Sequence, residues 1–357
     1  MKKKILILAI SIFSFFIVGG VVAVCYYNHA LNTSSMSAEA SEEKVKIIVS
    51  KGMTTKDVID LLYDSGLIDN KTVGYVYLKL NKGIIVQAGE YEVNRSMTLP
   101  EILEYISSGN VVDNSLSITF IEGKRLTTYV KQISEKFNYS EEEIFEKLSN
   151  KEYLDSLIEK YWFLTDDILN DKLYYALEGY LYPSTYQFEK DASIEDIIGK
   201  MLDTMGSVLK SYEEEIIASN YSVHEILTLA SVIQNEGKIR DFDNISSVFH
   251  NRLDNGMKLE SCATSYYGAK KDFTAMGIAN DELISADNPY NTYIINKLPL
   301  GPISSPSKLA IGASLKPSET DFLFFLSDNE GTSYFFETYA EHQNKQRELV
   351  NLGKWAR

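Results

Sequence analysis

The chain has 357 residues, 45% of them hydrophobic, which is enough apolar material for about two domains and excludes a chain disordered throughout. Acidic residues outnumber basic ones by 50 to 35, and Lys124-Arg125 and Lys270-Lys271 are isolated pairs rather than a basic stripe, which argues against nucleic acid as a partner. With only Cys25 and Cys262 present, the fold has to be held by its core rather than by a disulfide framework.

From Ile5 to Val24 the chain runs for 20 residues without a charge, behind Lys2, Lys3 and Lys4. That length crosses a bilayer core of roughly 30 Å as a helix, and the lysines hold their end in the cytoplasm. A cleaved signal peptide would have a shorter apolar run, ~7–15 residues, and a small-x-small exit; here the exit is Val24-Cys25-Tyr26-Tyr27. Val24 is also bulky for a lipoprotein site at Cys25. The expectation is an uncleaved single-pass anchor over 5–27, a cytoplasmic stub over 1–4, and a polar tether over 28–44.

Ordered structure is expected from Val45. Val45, Ile47 and Val49 alternate as a strand, Lys51-Gly52 turns the chain, and Thr54 or Thr55 caps a helix that Gly66 ends. The same strand, turn and Thr-opened helix return over 89–109 and 116–137, as small units that must pack together to bury their apolar faces. Residues 140–172 read as acidic helices, with Tyr161, Trp162 and Phe163 assigned to the core. LEGYLYPSTYQF (177–188) reads as a well-packed loop entering a strand, and 192–219 as helix again.

The stretch 222–237, SVHEILTLASVIQNEG, has a capping box at Ser222 and Glu225 and a stripe of Ile226, Leu229, Ala230 and Ile233, and Gly237 stops it. Glu236 continues the stripe at the negative end of the helix dipole, where dipole and burial both raise a carboxyl pKa. Two readings of it stay open at this point: a general acid, or a solvated helix end. Asp241 or Asp243 then caps a helix with the stripe Ile245, Val248, Phe249 and Leu253, closed by Asn255-Gly256. YNTYIINKLPLGPISSPS (290–307) has the composition of a binding loop. FLFFL and SYFFETY, joined through Ser327-Asp328-Asn329-Glu330-Gly331, form a hairpin-like end.

Several chemistries can be weighed. Ser305-Pro306-Ser307-Lys308 and Ser327-Asp328-Asn329 match two signatures of serine acyl-enzymes, but they lie too close together for the intervening subdomain and no K-T-G follows. Pro306 in a first helical turn and a polar turn between strands account for both. His29, His224, His250 and His342 are scattered without metal-ligand spacing, and no phosphate-binding glycine loop occurs, so no metal or cofactor is expected. Carboxylate chemistry remains, with Glu178 and Glu236 as the embedded acids and 24 tyrosines available to stack on sugar rings.

Five blocks now resemble the YceG-like (MltG) family of membrane-anchored endolytic murein transglycosylases: the module at 45–66, LEGYLYPSTY at 177–186, LASVIQNEG at 229–237, SSVFHNRLDNGMKLES at 246–261 and NPYNTYIINKLPLGPISSP at 288–306. The resemblance implies an α+β ectodomain, with a small LysM-like β/α module over 45–113 and a larger α+β catalytic domain over 114–357. It implies cleavage of the β-1,4 bond between MurNAc and GlcNAc in peptidoglycan, leaving 1,6-anhydroMurNAc ends, with Glu236 as the catalytic acid and base. Gln234, Glu178, Tyr186, Asn291, Thr292, Tyr293 and Gly301 become expected substrate-binding residues. Peptidoglycan strands and the membrane are the expected partners, with peptidoglycan synthases as further candidates. Gln234 stands where many members have an acid, and Cys262 where they have Asp. A non-catalytic peptidoglycan-binding or scaffold protein is therefore the alternative.

Overall fold

The protein is described by a computed structural model over residues 2–33, 44–109, 115–271 and 281–355. Its contacts divide it into two compact units, Met1–Asn114 and Ser115–Arg357. It is a mixed α+β chain, with one N-terminal helix long and apolar enough to cross a membrane.

In the first unit, α1 (Lys2–Leu31) runs further than an anchor ending at Tyr27 would. Its last turn is not part of a tether: Leu31 is buried in the core of the unit, Tyr27 and Ala30 pack against that core, and Asn70 Nδ2 donates to Tyr26 Oη at 3.2 Å. The rest of the expected tether, 34–43, lies outside the described residues. β1 (Lys44–Val49) and β2 (Gly89–Asn94) pair antiparallel, Lys44 opposite Asn94 and Val49 opposite Gly89. Strand alternation places Ile47, Val49, Tyr91 and Val93 on the buried face.

Between the strands lie α2 (Thr55–Asp64), opened by the Thr54–Asp57 capping box, and α3 (Lys71–Leu80), capped by Asn70. α3 has no counterpart in the expected grammar. A Cβ on its Gly74 would come within 2.7 Å of the Ile59 side chain, so the glycine marks the close approach of α2 and α3. α4 (Leu99–Ser107) follows β2 from a Thr98–Glu101 box.

In the second unit, β3 (Ser115–Thr119) leads into α5 (Leu126–Lys136), the third repeat of strand, turn and helix. Its partner is distant: β3 pairs with β4 (Thr185–Glu189), whereas the first two repeats share one sheet. α6 (Glu141–Ser149) and α7 (Lys151–Lys160) intervene. After α7, Tyr161 and Phe163 are buried as expected, but Trp162 is 54% exposed. Tyr161 has an extended backbone and Trp162-Phe163 then turn the chain, so the three consecutive side chains do not share one direction.

α8 (Ile194–Lys210) and α9 (Glu213–Ala218) deliver the chain to α10 (Val223–Glu236). The Ser222–Glu225 capping box is present, and Gly237 is the C-cap. Burial goes beyond the expected stripe: Leu227, Thr228, Ser231 and Val232 are buried too, so α10 is a central helix enclosed on all sides. Gly237 has an extended backbone; a Cβ there would come within 2.3 Å of Ile245, so packing against the next helix, α11 (Phe242–Asp254), is what demands glycine.

α12 (Cys262–Gly268), α13 (Asp281–Ser285) and α14 (Lys308–Leu315) follow. Ser307, not Pro306, caps α14, which leaves Pro306 just outside the helix. β5 (Phe324–Ser327) and β6 (Ser333–Phe336) form the expected hairpin, with Asp328 accepting the Glu330 and Thr332 N–H groups in its turn. α15 (Tyr339–Asn351) completes the described chain of helices.

Candidate active site

Glu236 is the last residue of α10, and the segment Ser261–Ala263 at the start of α12 closes over it. The Ser261 hydroxyl donates to Glu236 Oε1, and the Ala263 N–H also reaches the carboxylate. Burial pushes the Glu236 pKa up, while those two donors and the Arg252 charge hold it back. The carboxyl is thus poised to hold a proton and still has donors that stabilise it once the proton leaves.

Ser261 is positioned from two directions. Arg252, on the apolar stripe of α11, donates from Nε to Leu323 O at 2.7 Å and from Nη1 to Lys258 O, Leu259 O and the Glu260 carboxylate at 2.9, 3.1 and 3.0 Å. Glu260 turns the chain in the left-handed region, φ 53°. From the other side Thr292 Oγ1 accepts the Ser261 N–H at 3.0 Å and pairs with Thr264 Oγ1 at 2.8 Å. A cavity of about 500 Å³ opens in front of Glu236, with Arg252, Ser261, Cys262, Tyr293 and His342 in its wall. Cys262 Sγ and Tyr293 Oη lie 3.2 Å apart there.

A second cavity, about 410 Å³, lies on the other side of the same helical turn, lined by Lys124, Arg125, Thr128, Gln234, Asn235 and Ala263 among others. The expected site residues distribute unevenly around these two. Tyr293 shares the wall of the first cavity with Glu236. Gln234 lines the second, and its Oε1 accepts the Ser307 N–H at 2.9 Å, bracing the start of α14. Asn291 and Thr292 are fully buried; Asn291 Oδ1 accepts from Ser265 and the Tyr293 N–H, and its Nδ2 donates to the carbonyls of Leu283, Ile284 and Ala286. Gly301 is packed against Leu173 and His224, with no space for a Cβ.

Glu178 lies in the core, 2% exposed. Its Oε1 accepts the Leu126 N–H at 2.8 Å and its Oε2 the Tyr267 hydroxyl at 3.2 Å, and burial raises its pKa to about 7 against those donors. Tyr186 is buried in β4, donating to Tyr182 O at 2.8 Å. Ser261 and Arg252 have no counterpart among the expected site residues. Arg252 could have been found as a lone cation three residues after Phe249 on an apolar stripe; nothing local marks Ser261.

The YceG-like family model matches residues 47–348. An endolytic murein transglycosylase of Bacillus subtilis is 32% identical over 314 residues, 87% of this chain and 86% of that protein. One from Streptococcus pneumoniae is 28% identical over 340 residues, 91% of this chain but only 62% of the relative's own length. A crystal structure of a yceG-like protein from Listeria monocytogenes superposes with a TM-score of 0.61 at 30% identity, covering 85% of this chain and all of that one. By a match that spans both the small module and the Glu236 site, this chain belongs to the YceG-like family.

Proposed function

We propose that the chain is an endolytic peptidoglycan lytic transglycosylase, cutting MurNAc-GlcNAc β-1,4 bonds and leaving 1,6-anhydroMurNAc ends. The observation that carries the catalytic assignment is Glu236: a carboxyl with its pKa raised by burial, at the edge of a cavity wide enough for sugar, with a hydroxyl and a backbone N–H on its oxygens. Protonated Glu236 gives its proton to the glycosidic oxygen as the bond to MurNAc C1 breaks. The resulting carboxylate takes the proton from the C6 hydroxyl as O6 bonds to C1. The enzyme ends as it began, and water is not consumed.

Ser261 and Ala263 stabilise the carboxylate between the two transfers, and Tyr293 offers a ring and hydroxyl to the glycan. Asn291 and Thr292 act one step back, holding the loops that carry Tyr293 and Ser261. Gln234 faces the strand on the far side of the turn, where it also fixes the 303–307 loop; Glu178, Tyr186 and Gly301 support the walls. The order β1-α2-α3-β2 with an antiparallel pair supports a LysM-like, glycan-holding role for 45–113, and catalysis is assigned to the domain over 114–357. α1 then serves as a single-pass anchor, keeping the ectodomain at glycan strands near the membrane, within reach of peptidoglycan synthases.

Digestion of purified glycan strands by wild type and Glu236→Gln, read by mass spectrometry, tests this reading. Anhydro ends from wild type alone are expected. Reducing ends would make the protein a hydrolase, and no cleavage by wild type would leave a binding or scaffold role.

A further inference from the structure

The second cavity holds a pair of cations that the cleavage step does not use. Lys124 is exposed and Arg125 half-buried, and among the described residues neither forms an ion pair, although the Arg125 charge still helps to lower the pKa of the buried Glu178 carboxyl behind it. The loop that presents them is held rigidly: Gly123 N–H donates to Ser305 O at 2.8 Å, Ser305 N–H returns to Lys124 O at 2.9 Å, and Gly123 takes the left-handed φ of 73° that this turn needs. Arg125 lies over the Tyr267 ring, 5.1 Å from its centroid. Glu178, the acid behind it, has both oxygens engaged by Leu126 and Tyr267; Glu122 is the acid at the rim.

The cavity shares its wall with the catalytic turn. Gln234 and Asn235 immediately precede Glu236, and Ala263, which also lines this cavity, gives its N–H to Glu236. The two cavities flank one helical turn, so a glycan ring held at Glu236 that crosses this turn brings its O3 branch toward Arg125. In peptidoglycan that sugar carries at O3 a lactyl group, which ends either in its own carboxylate or in an acidic stem peptide.

Resting on the transglycosylase reading, we propose that the Lys124–Arg125 cavity is the subsite for a carboxylate on the MurNAc O3 branch, so that the enzyme selects strands by what that branch carries. A guanidinium over an aromatic face suits a planar carboxylate, and the exposed lysine adds charge without fixed geometry.

Binding is measured by calorimetry with full-length protein in detergent, in the non-cleaving Glu236→Gln background, so that occupancy is read apart from turnover. The probes are short glycan fragments of three kinds: denuded, with free lactyl carboxylates; with acidic stem peptides; and with stems fully amidated. A preference of about tenfold for one carboxylate-bearing probe over the amidated one is expected, weakening with salt, and which probe wins identifies the source of the carboxylate. Adding Arg125→Gln should bring the ratio near one, Arg125→Lys should retain part of it, and Lys124→Gln, on an exposed side chain, should lower it without a change in thermal midpoint. Equal affinity for all three probes, or a ratio that neither Arg125→Gln nor Lys124→Gln moves, overturns the subsite. Absence of anhydro ends from the wild type overturns the transglycosylase reading instead, and leaves the binding result to stand separately.

Discussion

Glu236 and Glu178 are built alike and placed differently. Each is a carboxyl lifted by burial, and each accepts an N–H from the start of a helix, Glu236 from α12 and Glu178 from α5. Each also takes a hydroxyl, from Ser261 and Tyr267 respectively. What separates them is access: the cavity of about 500 Å³ begins at Glu236, whereas Glu178 is sealed beneath Tyr267. A raised carboxyl pKa records desolvation. Only the opening to substrate turns desolvation into acid catalysis, and the same environment without an opening makes a structural joint.

The largest effect expected from this contrast is on activity. Glu236→Gln preserves shape and can still accept from Ser261, so the thermal midpoint should move little while anhydro-product formation falls by about 10²- to 10⁴-fold. Should Glu178→Gln lower turnover as far, the distinction between an open and a sealed carboxyl fails.

The next effect is on stability and belongs to Glu178. Glu178→Ala leaves the buried Leu126 N–H and Tyr267 hydroxyl without their acceptor, at a cost of about 2–4 kcal/mol. Glu178→Gln keeps an acceptor and isolates the proton. With a folded pKa of about 7 against an ordinary 4.5, the native state binds the proton more tightly than the unfolded chain does. The corresponding stability is fully present below the unfolded value and is lost as pH rises through 7, up to about 3 kcal/mol. Denaturant unfolding at pH 4.5 and pH 8 should show this fall in wild type and a smaller one in Glu178→Gln, where only groups such as Glu236 still contribute with the same sign.

α10 is legible in the sequence because every signal is local: a capping box from Ser222 to Glu225, an apolar stripe at helical spacing, a glycine at the end. Gln234 shows where that information stops. Its place in the turn was legible, but its bond to the Ser307 N–H depends on a loop 73 residues away. Glu178 was recognisable as an acid among glycine and aromatics, and composition says nothing about whether such a residue faces a cleft or the core. Trp162 differs from the core assignment because hydrophobicity alone does not tell which member of an aromatic triplet at a turn faces outward. Ser261 was missed for the complementary reason: a small polar residue beside a helix start has many roles, and only the fold brings it onto Glu236. Pairing of β3 with β4, rather than with β1 or β2, is likewise settled by contacts across the second unit.

The smallest effect concerns the donors rather than the acids. The Ser261 hydroxyl stabilises ionised Glu236 and so lowers its pKa against the upward push of burial. Ser261→Ala should therefore raise the Glu236 pKa further, keep the acid protonated to higher pH, and move the alkaline limb of the kcat/KM profile upward. At its own optimum the variant should lose only about 2- to 10-fold, the worth of one hydrogen bond. The second half of the reaction needs the carboxylate to exist briefly beside the C6 hydroxyl, and the Ala263 N–H remains to support it. A profile that falls in height without shifting would mean that Ser261 only shapes the loop, and that Glu236, like Glu178, owes its proton affinity to burial alone.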